Sequence, residues 1–74
     1  MRKITIIEFS PQNINETREV VREAMEIMEH TQKDVYLKPY SNLIQTDCLL
    51  YLEESNFHLD RTEFGAMFVF IKIG

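Results

Sequence analysis

The sequence is short of the residues that staple or hinge small proteins: one cysteine, two glycines, two prolines and no tryptophan in 74 residues. Cys48 alone cannot close an intramolecular disulfide, and no Cys/His cluster supplies the three or four ligands a structural zinc site needs. Gly65 and Gly74 are too few and too far apart for either phosphate-cradling pattern, G-x-x-x-x-G-K-[ST] or G-x-G-x-x-G. Long apolar runs are missing too. The run after Arg2 and Lys3 is broken by Glu8 and Pro11, too short for the core of an export signal. Nothing approaches the roughly 20 apolar residues that cross a bilayer. With a lone cysteine, the expected setting is a reducing cytoplasm.

Positive charge is also scarce. Eight Lys and Arg stand against twelve Asp and Glu, for a net charge of −4 and a pI near 5.0. The bases are scattered and form no run, whereas binding to nucleic acid depends on clustered Lys and Arg that neutralise phosphates. Nucleic acid and anionic membranes are therefore not the expected partners.

What is present is enough apolar material for one core, 45% of the chain including five Phe and three Tyr. A chain this short buries only about 60–65% of the surface it exposes when unfolded, so a single domain over residues 1–74 has little margin. Marginal cores of this kind are often completed by oligomerisation or a partner.

Residues 3–9, K-I-T-I-I-E-F, are β-branched and aromatic and read as a strand, with Ile4 and Ile6 on one face and Thr5, Ile7 and Phe9 on the other. Ser10 to Asn13 ends it. Asn13 with Glu16 has the spacing of a capping box. From there Ile14, Thr17, Val20, Val21, Ala24, Met25, Ile27 and Met28 recur at three- and four-residue steps, predicting a helix over about 13–30. Residues 34–40 read as a second strand, at an edge or cut short by Pro39. Residues 46–53, T-D-C-L-L-Y-L-E, put apolar groups almost all round a helical wheel and are read as a strand. Residues 53–62 are polar and read as loop, with a single helical turn possible at 60–63. Residues 66–73, A-M-F-V-F-I-K-I, predict a central strand. The expected fold is α+β, β-α-β-β-β, with one long helix on a small mixed sheet. The alternative is β-α-β-α-β, with residues 42–55 helical.

One helix covers one face of a sheet, so Tyr36, Leu49, Tyr51, Phe68 and Phe70 would need cover on the other. An apolar face on that scale marks an interface. The first expectation is a small acidic protein-interaction module, an adaptor, inhibitor or regulator of the kind viruses and mobile elements encode, dimeric through its sheet. Its contact residues would be Tyr36, Tyr51, Phe68 and Phe70 for apolar contact and Glu19, Glu23 and Glu26 for charge. The helix also carries Glu16 and Glu29, so a carboxylate ridge roughly 20 Å long at 1.5 Å per residue could imitate a nucleic-acid backbone. Arg18 and Arg22 dilute it, and charge runs usually solvate. A third expectation is a small-ligand domain with its pocket at a homodimer interface.

Catalysis finds little support in the residues. His30, Cys48 and His58 are far apart, and a Cys-His pair needs contact plus a third orienting group. Cys48 reads as a buried small hydrophobe. His58, Asp60 and Glu63 form the one local set with any chemistry, and a short acidic loop is the plainer account of them. No enzyme activity, cofactor or metal is expected.

Overall fold

The computed structural model describes residues 4–31, 33–40, 43–63 and 67–72, and for Arg61, Glu63 and Met67 the backbone alone. The element order is β1 (Ile4–Phe9), α1 (Ile14–Thr31), β2 (Asp34–Pro39), α2 (Thr46–Glu54), β3 (Phe57–Glu63) and β4 (Met67–Lys72). The strands form one sheet in the order β1-β2-β4-β3. β1 and β2 are parallel, and β4 runs antiparallel to both β2 and β3.

The fold is thus α+β as expected, but β-α-β-α-β-β in detail. Three corrections follow. Residues 46–53 are not a strand: they lie within α2, where Cys48 and Leu52, four apart, are fully buried and Leu50 is 51% exposed. One-sided burial at that spacing is helical. Residues 53–62 are expected as loop with a helical turn possible at 60–63, and from Phe57 to Glu63 the chain forms β3 instead. Phe57 and Leu59 keep the alternation of a strand until a bulge between Leu59 and Arg61 breaks it. A third, smaller correction concerns β2, which is interior rather than an edge, with Pro39 as its last residue.

α1 forms where the periodicity placed it. Thr17, Val20, Val21 and Ala24 are buried, with Ile27 and Met28 packed partly against them. Met25, expected on that face, is 41% exposed. The Asn13 side-chain oxygen accepts from the N–H groups of Asn15 (2.9 Å) and Glu16 (3.3 Å). The Glu16 carboxylate reaches past Asn13 and accepts from the Ser10 N–H at 3.0 Å. Both ends of the β1–α1 turn are therefore tied to the first helical turn. Asn13→Ala is expected to cost about 1 kcal/mol, the usual worth of an N-cap. A lower urea midpoint with unchanged slope would show it, and an unchanged midpoint would contradict it.

α2 ends at Glu54 with Ser55 as its C-cap, and Asn56 takes a left-handed conformation (φ 67°), with its N–H donating to the Glu53 carbonyl at 3.0 Å. Asparagine is the usual second choice to glycine at this position. It turns the chain directly into β3.

Both helices lie on the same side of the sheet, α1 over β1 and β2, α2 over β3, and they touch each other. The core between the layers is built from Phe9, Val35, Leu37, Phe57 and Phe70 below, and Val20, Val21, Ala24 and Leu52 above. Thr17 is buried with them, its hydroxyl donating to the Asn13 carbonyl at 3.2 Å. The hydroxyl therefore keeps a partner out of water, as burial of a polar group requires.

Candidate functional site

Strand alternation and register fix what each face of the sheet presents. Thr5, Ile7 and Phe9 pair with Val35, Leu37 and Pro39, and Leu37 pairs with Phe70, so these point at the helices. Ile4, Ile6 and Glu8 pair with Asp34, Tyr36 and Lys38, and Tyr36 pairs with Ile71, so these point the other way. No helix among the described elements packs on that second face.

The apolar groups of this face are not equally bare. Val69, which alternation places there beside Ile71, is 0% exposed, and Tyr36 and Ile71 are half-buried. Ile6 and Ile4 are 52% and 55% exposed. Exposure therefore rises across the sheet from β4 to β1, and the uncovered apolar surface is concentrated at the β1 side.

The seven residues singled out from the sequence do not gather on one surface. Tyr36 lies on the uncovered face. Phe70 is in the core at 3% exposure, beneath the helix layer. Phe68 shares its side and meets it edge-on, ring centroids 6.5 Å apart. Tyr51 sits on α2 facing α1, with the Arg18 guanidinium 5.8 Å from its ring centroid. A cation over an aromatic face is held by the ring quadrupole. The four aromatics were read as one face because residues 46–53 were read as a strand of the sheet. Once that segment is a helix, Tyr51 leaves the sheet and Phe70 acquires its cover.

Glu19, Glu23 and Glu26 are exposed on α1 as expected. Glu19 is paired with Arg22 at 2.6 Å, both side chains 68% exposed, so the ridge is interrupted by its own arginines. An open ion pair of this sort on a helix contributes about 0.2–0.5 kcal/mol.

Two grooves border α2. One, about 500 Å³, runs between the helices past Arg18, Glu19, Met25, Glu26 and Tyr51. The other, about 380 Å³, lies between α2 and the β3–β4 strands and is lined mainly by Ile44, Leu49, Leu59, Phe68 and Phe70. Both form within a single chain. Sequence reasoning missed the second groove because Leu59 and Phe57 sit in a segment read as loop, although their two-residue spacing was a strand signal.

His30 lies in the last turn of α1 and His58 in β3, both exposed, while Cys48 is buried in α2. Among the described residues, no three His, Cys, Asp or Glu side chains come together as metal ligands. No helix there is long and apolar enough to cross a membrane. Compared with protein-family models, with curated proteins and with solved structures, the chain matches none.

Proposed function

We propose that this chain is a small acidic protein-interaction module, an adaptor, inhibitor or regulator, that acts by binding a protein through the uncovered face of its sheet. The observation that carries the reading is the one-sidedness of the fold. Two helices cover most of one face, leaving Leu59 open at its β3 edge, while the other keeps Ile4 and Ile6 more than half exposed beside Tyr36 and Ile71. Single exposed apolar residues are ordinary on protein surfaces, whereas contiguous ones mark contact sites. The acidic α1 ridge, with Glu19, Glu23 and Glu26, lies in the helix layer on the other side of the sheet, so its charge would act on encounter rate and partner preference at a distance rather than in the contact.

The test uses tagged protein as bait in lysate of its native host, comparing Ile6→Glu with the triple reversal of Glu19, Glu23 and Glu26 to Lys. Recovery of the retained proteins is expected to fall at least about tenfold with Ile6→Glu, the loss of roughly 1.4 kcal/mol. The triple variant is expected to keep them. Full retention by Ile6→Glu would remove the sheet face from the account. Loss with the triple variant alone would move the contact to the ridge and favour phosphate-backbone mimicry.

A small-ligand reading rests on a different observation, the apolar groove of about 380 Å³ beside α2. Its volume is within the ordinary range of ligand pockets. It lies inside one chain rather than between two.

A further inference from the structure

The two edges of the sheet differ in a way that selects between modes of association. β3, at one edge, carries a bulge at Asp60 and the charged run Asp60-Arg61 followed by Glu63. Bulges and charges are the devices that keep an edge strand from pairing with another chain. β1, at the other edge, has no bulge and a single charge. It pairs with β2 in unbroken register over all six residues, and its only charged residue is Glu8.

The direction of the β1 backbone groups can be read from one bond. The Tyr40 N–H donates to the Phe9 carbonyl at 2.9 Å, so Phe9 turns its backbone toward β2. In a parallel ladder the bonds are evenly spaced and alternate residues face the same neighbour. Thr5 and Ile7 therefore face β2 as well, and Ile4, Ile6 and Glu8 direct their N–H and C=O groups outward from the sheet. The same three residues put their side chains on the uncovered face. Among the described residues, outward-facing backbone groups with no neighbouring strand and the exposed apolar side chains of the uncovered face thus coincide on Ile4 and Ile6.

We infer that β1 is a docking edge for β1 of a second copy, paired antiparallel about a two-fold axis through Thr5. This rests on the protein-interaction reading and names its partner. In this register Ile4 of each copy exchanges both backbone bonds with Ile6 of the other, and four isoleucines form one apolar strip on the uncovered face. Cross-strand pairs of like apolar side chains are the unit of stabilisation in such a contact. Moving the axis to Ile6 would set Ile4 opposite Glu8 and bury a carboxylate edge against an apolar one, so the Thr5 register is preferred. The symmetry is isologous, so the assembly stops at two, and the outer edges of the joined eight-stranded sheet are the two guarded β3 strands. An edge contact buries less than the roughly 1,000 Å² expected of a stable interface, so the dimer is weak and concentration-dependent.

The geometry supplies its own test. Thr5 faces inward, so the two Thr5 residues form a non-hydrogen-bonded pair with Cα atoms about 4.5 Å apart, a distance a disulfide can bridge. Thr5→Cys in a Cys48→Ala background, mildly oxidised at high concentration, is expected to give a disulfide dimer as the main product. Ile71→Cys in the same background is expected to give little. In parallel, hydrogen exchange on the unaltered protein should slow at the Ile4 and Ile6 amides by about tenfold or more as concentration rises a hundredfold, with Thr5 and Ile7 unchanged. Crosslinking through Ile71→Cys rather than Thr5→Cys would show stacking of sheet faces and overturn the edge contact. So would Ile4 and Ile6 amides that ignore concentration up to the millimolar range. Should Cys48→Ala not fold, exchange on the unaltered protein decides alone. None of these readouts involves a lysate protein, so the edge contact can fail while the wider protein-binding reading stands.

Discussion

Phe70→Glu is expected to abolish folding, and Ile6→Glu to leave the circular dichroism of the folded protein intact. The two residues are apolar and lie in strands two places apart, yet they face opposite sides of the sheet. Phe70 is packed between Leu37 and the helix layer at 3% exposure, whereas Ile6 is 52% exposed. Removing a buried Phe side chain costs about 3–5 kcal/mol before any charge is introduced. A carboxylate left there without a partner adds several more. A domain of this size has a total stability of about 4–11 kcal/mol at 0.05–0.15 kcal/mol per residue, so the sum reaches or exceeds it. Ile6→Glu adds charge to a surface already in water and is expected to shift the urea midpoint only slightly. A cooperative transition at the wild-type midpoint for Phe70→Glu would mean that β4 presents its other face to the helices.

Leu52→Ala is expected to lower stability by about 2–5 kcal/mol, and Leu50→Ala by less than about 0.5 kcal/mol. Two residues apart in a strand, these leucines would share a face and cost similar amounts. Two apart in a helix, they diverge by about 200°, one into the core and the other into water. The burial follows the helix, with Leu52 at 0% and Leu50 at 51%. Urea unfolding of both variants measures the difference, and equal losses would return residues 46–54 to a strand.

That segment shows where sequence and fold part company. α1 was legible because its apolar positions form a narrow stripe, its charges fill the opposite face, and Asn13 marks its start. β4 was legible because Phe68, Val69, Phe70 and Ile71 are apolar on both faces, which suits an interior strand. α2 offers no such contrast. Leu49, Leu50, Tyr51 and Leu52 are consecutive, so a helical wheel shows no clean polar side and a strand looks tidier. Tertiary contact with α1 and β3 decides it instead. β3 was hidden by Asp60, whose bulge interrupts the alternation begun by Phe57 and Leu59.

The candidate surface was legible only in part, for the same reason. Exposed glutamates on α1 follow from periodicity alone. Which face of the sheet stays open depends on where the second helix goes, and that helix stood only in the alternative reading, β-α-β-α-β with residues 42–55 helical. Tyr36 was placed on a surface and lies on the uncovered one, whereas Phe70 needed a cover that α2 provides. Ile4 and Ile6 were assigned a common face from their alternation, but nothing in the sequence told that this face would be the bare one.

The strand order has a consequence for biosynthesis. β4 is made after the other three strands yet occupies the slot between β2 and β3. While a ribosome moves from Pro39 to Lys72, the inner side of β2 has no neighbour and β3 has nothing to join. At about 5–20 residues per second that interval lasts a few seconds, long compared with the formation of a helix or hairpin. A nascent chain halted before Met67 would hold a half-built sheet with Val35, Leu37 and Phe57 deprived of Phe70, a form suited to capture by chaperones or proteases. Completion of the sheet therefore waits on the strand made after the other three.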